Sequence, residues 1–377
     1  MATVMVARPS PSAVRKSRRW TAVVGTVLVI ALMWTVSEEI NPDWYSYAAL
    51  YSGDGSWLAD QGRDWLFVLL LRAASAIGGP DNYIYFRICI GAYFAAFTYL
   101  LVEGRLFGLE RAPRSNSLLL IGILPFIAPR FTIQIREGLA VTLALIGMAL
   151  LARCRVGTQR SRLNPLYSGA ALALFIASYA THSGVLILLV AMLGSWVHLQ
   201  KVSSSLAQEV RLLSSISALT VPAFGFAAWV LPETREGRQA IDDVYGWMVD
   251  GSATVTFAKW LYWLAYGLGI AVVVRRLVKL YLADRLPTRL RAPLGLLAIV
   301  VLPAIYVAAV VLLASGAPSI VIAAASRLMN MVLSVLFVMF STLGAMNRRL
   351  AALAVFLLID QARIIIEAVF TTFGDVS

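Results

Sequence analysis

Long apolar runs alternate with short basic connections along almost the whole chain. The first run, TAVVGTVLVIALMWTVS at 21–37, carries no charge. Others follow at about 83–104, 117–129, 132–152, 166–181, 184–199, 211–231, 257–274, 293–314, 327–346 and 350–370. A helix needs roughly 20 apolar residues to cross a bilayer. The pattern therefore predicts an all-α, polytopic membrane protein with about eleven transmembrane helices, the 117–129 and 166–181 segments being the short ones. Residues 1–19, rich in Pro, Ser and Arg, read as a disordered basic tail. No small-residue cleavage site follows the first run; EEINPDWY comes instead, so an uncleaved span is expected there. With no internal repeat in view, 20–377 reads as a single transmembrane domain.

The basic residues orient that domain. With the amino terminus in the cytoplasm, the connections on that side hold 22 of the 32 Lys and Arg, as the positive-inside rule requires. The run WLFVLLLRAASAIGG at 65–79 is apolar too, but counting it as a span would place every later basic loop outside. It is expected to be a short interfacial or re-entrant helix. Two longer connections, 37–64 and 232–256, then fall on the outer face, and both are acidic and aromatic.

Composition agrees with the pattern. Hydrophobic residues make up 60% of the 377 and charged residues 14%, against roughly 25% charged in a soluble domain. The net charge of +12 would suggest a nucleic-acid partner in a soluble chain; here the cytoplasmic loops account for it, and no nucleic acid is expected. Two cysteines, Cys89 in an apolar run and Cys154 at a helix end, suggest neither a disulfide nor a metal site.

Ten basic residues remain once topology is satisfied, nine of them arginine: Arg63, Arg72, Arg87, Arg130, Arg136, Arg235, Arg238, Lys259, Arg327 and Arg363. All fall on or near the outer half. An arginine cluster there calls for an anion, and guanidinium suits forked recognition of phosphate. Other readings stand beside this one. Arg72 and Arg87 can snorkel to the interface. Arg136, beside Glu137, can form a structural pair with another helix, and Glu137 can serve as a base or only hold that arginine in position. Arg363, with Asp360 and Glu367 on one face, can belong to an ion-pair ladder. Arg327 opens a span, where its charge opposes the helix dipole. His182, in SYATHSGVLIL, falls at a tight turn between two spans, and either hydrogen-bonds structurally or moves a proton. Asp43, Tyr47 and Tyr51 share one helical face beside Trp44, an arrangement suited either to sugar stacking or to an interfacial aromatic belt.

Taken in order, Asp43-Trp-x-x-Tyr47-x-x-x-Tyr51, Asp64-Trp-Leu-Phe, Arg130-Phe, Gln134-Ile-Arg136-Glu-Gly138-Leu-Ala140 and His182-Ser183 resemble the EpsG branch of Wzy-type polysaccharide polymerases, over roughly residues 20–200. The later part of the chain matches in helix count and in Ser326-Arg327 opening a span. Glu137 stands where the family usually has glutamine, and Asp64 where it often has glutamate.

The resemblance implies a type C glycosyltransferase-like membrane fold in the bacterial inner membrane, with the active site facing the periplasm. It implies an O-antigen, capsule or exopolysaccharide polymerase that joins undecaprenyl-pyrophosphate-linked oligosaccharides. The partners it implies are that lipid-linked glycan, membrane lipid and a chain-length regulator protein; no metal or cofactor is called for. On this reading Arg130, Arg136 and Arg327 hold phosphate, with Arg363 beside them, and His182 or Glu137 acts as acid/base or orienting group. Asp43, Tyr47, Tyr51 and Asp64 face the sugar. A transferase using a polyprenyl-phosphate monosaccharide, and a non-enzymatic flippase of lipid-linked glycans, are the alternatives.

Overall fold

The computed structural model describes residues 11–35, 44–53, 64–107, 116–153, 165–201, 206–230, 257–283, 286, 288–315 and 319–374. Asp43, residues 232–256 with Arg235 and Arg238, Arg63 and Cys154 lie outside the described residues, as do the side chains of Lys259, Arg363 and Glu367. Among the described residues every regular element is helical. In chain order these are α1 (Pro11–Thr35), α2 (Trp44–Ser52), α3 (Trp65–Gly78), α4 (Tyr83–Glu103), α5 (Asn116–Thr132), α6 (Ile135–Arg153) and α7 (Pro165–Thr181). A 3-10 turn, Ser183–Val185, leads into α8 (Leu186–Lys201), followed by α9 (Leu206–Val230) and α10 (Phe257–Leu282). The chain ends with α11 (Thr288–Gly295), a π turn (Leu296–Val301), α12 (Leu302–Ala314), α13 (Ser319–Thr342) and α14 (Arg348–Gly374).

Each apolar run of the sequence is thus a helix. Among the described residues, six stretches are long and apolar enough to cross a membrane: Tyr83–Glu103, Ile135–Ala152, Gln208–Val230, Trp260–Leu282, Leu290–Ala314 and Ala324–Thr342. Four apolar helices among the described residues are shorter, including the 14-residue α3 and the 17-residue α5 and α7. At 1.5 Å per residue, 17 residues rise about 25 Å, just short of a hydrocarbon core of about 30 Å.

The first helix starts earlier than the sequence suggests, at Pro11, inside the stretch read as a tail. Arg18 explains why this segment is ordered. Its guanidinium is buried and donates to the carbonyls of Glu103 and Thr342, both at 3.4 Å, at the carboxyl ends of α4 and α13. Helix ends leave such carbonyls without partners of their own, and a cation is favoured against them.

Contacts divide the chain into two compact units, residues 1–185 with 337–377, and residues 186–336. In the first unit α6 is the central helix: Leu139, Ala140, Val141, Ala144, Leu145 and Met148 are all buried. Neighbours tie to it by single hydrogen bonds. Ser178 of α7 donates to the Ala140 carbonyl at 2.7 Å, and the Tyr93 hydroxyl of α4 lies 2.9 Å from that of Thr142. Bonds of this kind between membrane helices contribute about 0.6 kcal/mol each, so packing supplies most of the cohesion.

The second unit contains the π turn. Ser217 of α9 donates to the Ile299 carbonyl within it, at 2.8 Å, supplying a donor where the helical bonding pattern widens. Tyr266 of α10 donates to Asn330 of α13 at 2.9 Å, and Tyr306 of α12 to the Trp263 carbonyl at 3.0 Å.

Candidate functional site

The site is built where three separate stretches of the first unit meet: Asp64 ahead of α3, the α5–α6 hairpin, and the turn after α7. The hairpin owes its shape to two prolines. Proline has no N–H, so Pro129 cannot donate to the Pro125 carbonyl one turn earlier. Arg130 supplies the missing donor from its side chain, Nη1 to that carbonyl at 3.3 Å. Ile133 and Gln134 both donate to the Pro129 carbonyl, closing α5, and Gly138 donates to Gln134 to begin α6. The two helices approach so closely that a Cβ on Gly138 would sit 2.5 Å from the Arg130 carbonyl oxygen.

Arg130 is only 1% exposed. Its Nε donates to Glu137 Oε1 at 3.0 Å, and its guanidinium carbon lies 5.6 Å from the centre of the Phe126 ring. Every contact it makes here serves the hairpin. This corrects two expectations of the sequence: Arg130 is a buried clamp and not an open phosphate ligand, and Glu137 pairs with it and not with Arg136. The Glu137 charge is thus matched by Arg130.

Arg136 reaches the other way. Its Nη1 lies 3.0 Å from Asp64 Oδ2. The same oxygen faces His182 Nδ1 at 3.5 Å, and Asp64 Oδ1 accepts the Ser183 backbone N–H at 2.8 Å. One carboxylate thereby joins residues 118 and 119 positions away to the start of α6. Asp64 adopts φ 58°, ψ 28°, the one positive φ outside glycine among the described residues. Asp tolerates this left-handed conformation better than most side chains, and strain of this kind gathers at functional sites.

Burial alone would raise the Asp64 carboxyl. The hydrogen bond from His182, the Arg136 charge, the charge of the His182 ring when protonated and the Ser183 N–H outweigh it, and the group lies below its ordinary value. It is ionised at neutral pH. A carboxylate on Nδ1 selects the imidazole tautomer with its proton there, leaving Nε2 as an acceptor. Gly184 keeps room for that edge of the ring, since a Cβ at 184 would sit 2.6 Å from Nε2. Side-chain exposure grades the cluster: 31% for Arg136, 23% for His182 and 11% for Asp64. Arg136 and His182 present themselves outward, and Asp64 holds both.

The remaining sequence candidates stand elsewhere. Tyr47 and Tyr51 are 4% and 1% exposed. Tyr47 meets the Phe67 ring edge-on, and Tyr51 donates to the Ala74 carbonyl at 3.2 Å, so this face packs α2 against α3. They are core aromatics, not an open sugar platform. Arg87 does not snorkel: it is buried, donates to the Met33 carbonyl at 2.6 Å and lies over the Trp44 ring at 4.3 Å. Arg72 is exposed. Arg327 is exposed on α13 in the second unit. Asp360 of the expected ladder is buried on α14, while its partners there lie outside the described side chains. Sequence reasoning gave Ser183, Gly138 and Gly184 no role; the tight turns they occupy are the signal that could have found them.

Comparison with protein-family models, with curated proteins and with solved structures returns no match for this chain.

Proposed function

We propose that the chain is a membrane glycosyltransferase of the polysaccharide-polymerase kind, joining polyprenyl-pyrophosphate-linked repeat units at the outer face of the bacterial inner membrane. The proposal includes the finer topology read from the sequence: about eleven spans, amino terminus inside, with the Asp64–Arg136–His182 cluster opening outward. The observation that carries it is that Arg136 and His182 converge on one half-buried carboxylate. A guanidinium and an imidazole side by side support a reading in which the first is the fixed cation and the second the proton acceptor of this transfer.

In the proposed reaction, His182 Nε2 takes the proton of an acceptor sugar hydroxyl as its oxygen bonds to the donor's anomeric carbon. The bond from that carbon to the pyrophosphate oxygen breaks with its electron pair, and the lipid pyrophosphate departs. Arg136 is placed to stabilise the charge developing there. Glu137 and Arg130 act one layer back, fixing the first turn of α6. Four charges around the cluster pair off as Arg130 with Glu137 and Arg136 with Asp64. The reading therefore rests on the half-buried Arg136 guanidinium and its neighbouring imidazole, and not on a surplus of cations.

The same geometry supports this reading over a transferase of single sugars that uses a loop carboxylate as its base. Asp64 accepts from three donors and is acidified by them, which makes it a poor base. A flippase needs no proton acceptor at all. The test is the cell's own glycan on a gel after deletion of the gene. A polymerase leaves single repeat units on the acceptor, and long chains return with the wild-type copy. Complete loss of even single units would instead mark a flippase.

A further inference from the structure

The outward face of α10 changes character along its length. Leu261, Leu264 and Leu268, at helical spacing, are 50%, 57% and 63% exposed. The same face continues through Arg275 and Lys279, both exposed, and ends at Leu282, which is 70% exposed. An apolar stripe therefore runs into a two-residue cationic step and closes with an apolar side chain.

Length fixes where the step lies. Trp260, 41% exposed, begins the apolar stretch Trp260–Leu282 and is the kind of ring that settles at one membrane interface. From it to Lys279 the helix rises about 28 Å, close to the hydrocarbon thickness of about 30 Å. Lys279 thus reaches the opposite headgroup level, and Arg275 starts one turn inside it on the lipid-facing side. Neither is matched by a carboxylate among the described ion pairs. A cation at that depth is costly unless it snorkels outward to an anion. A phosphate between Arg275 and Lys279, with its acyl chains along Leu264 and Leu268, satisfies both requirements.

We propose that this face of α10 is a binding site for an anionic phospholipid of the leaflet at the Leu282 end, held through its phosphate by Arg275 and Lys279. The site is independent of the glycosyl-transfer reading.

The experiment is thermal unfolding of the full chain in neutral detergent with added phosphatidylglycerol or phosphatidylcholine. A ligand that binds the folded state raises the midpoint with concentration. The midpoint should rise more with phosphatidylglycerol than with phosphatidylcholine, and the difference should shrink as salt is added. In R275Q/K279Q that difference should disappear while the midpoint in phosphatidylcholine stays at the wild-type value. The charge-conserving R275K/K279R should keep it, which guards against a variant that merely folds poorly. Equal shifts from the two lipids in the wild type, or an undiminished phosphatidylglycerol effect in R275Q/K279Q, would overturn the proposal.

Discussion

Asp64→Asn removes one charge and almost no volume, and asparagine shares the tolerance of aspartate for the left-handed conformation at this position. The backbone ahead of α3 should therefore survive. The wild-type carboxylate accepts from the Ser183 N–H at 2.8 Å, Arg136 Nη1 at 3.0 Å and His182 Nδ1 at 3.5 Å. The amide has one acceptor oxygen. If that oxygen keeps Ser183, the NH2 faces a guanidinium donor and a ring nitrogen. The first contact becomes repulsive, and the second inverts the imidazole, so that Nδ1 accepts and Nε2 carries the proton.

Hydrogen bonds to charged groups contribute roughly 1.5–3 kcal/mol each. The Arg136 side chain is 31% exposed, which discounts its share toward the lower end, and a loss of about 1–3 kcal/mol in stability follows. Loss of the correct tautomer should lower turnover by about 10²- to 10⁴-fold. The assay is purified protein with a lipid-linked repeat unit, product ladders read on a gel, and unfolding followed in parallel. Asp64→Asn with wild-type ladders and a wild-type midpoint would refute the reasoning.

Other substitutions probe separate parts of the account. Arg136→Ala should abolish polymer in protein that still folds, since a fixed cation at a developing oxyanion is worth roughly 3–4 kcal/mol; full-length polymer would end its assigned role. Gly138→Ala should lower the unfolding midpoint, because the added carbon would lie 2.5 Å from the Arg130 carbonyl oxygen and strain of this kind costs about 1–3 kcal/mol. Gly184→Ala crowds His182 Nε2 and should cut turnover well beyond its effect on the midpoint; equal losses in both would assign Gly184 to folding alone. On acidification, the contribution of Asp64 is present at pH values above its unfolded-state value near 3.8, and is lost as pH falls through its lower folded value. Wild-type stability should therefore fall more steeply than that of Asp64→Asn below about pH 4, as unfolding midpoints across pH would reveal.

The helices were legible because their apolar runs are long and the basic loops between them short. The site was legible only in its residue types. Arg136, His182 and Asp64 each drew notice as charge or imidazole at the edge of an apolar run, yet no spacing rule joins residue 64 to residue 182. That contact depends on how α3 and α7 pack. Arg130 misled for a related reason: the acceptor it serves exists only because Pro129 lacks an N–H, and its partner Glu137 comes within reach only across the hairpin turn. Tyr47 and Tyr51 do share a helical face, as their spacing requires, but spacing does not reveal what covers that face. Here it is α3, with Phe67 against one ring and the Ala74 carbonyl on the other hydroxyl.

The most direct test of the central claim is a reconstitution. Purified protein in detergent is given a polyprenyl-pyrophosphate-linked repeat unit as both donor and acceptor, and the products are separated by size beside those of His182→Ala. The account predicts a ladder of lengthening chains with release of lipid pyrophosphate from the wild type, and a ladder greatly weakened in the variant. No chain growth from folded wild-type protein, or an equal ladder from His182→Ala, would contradict it.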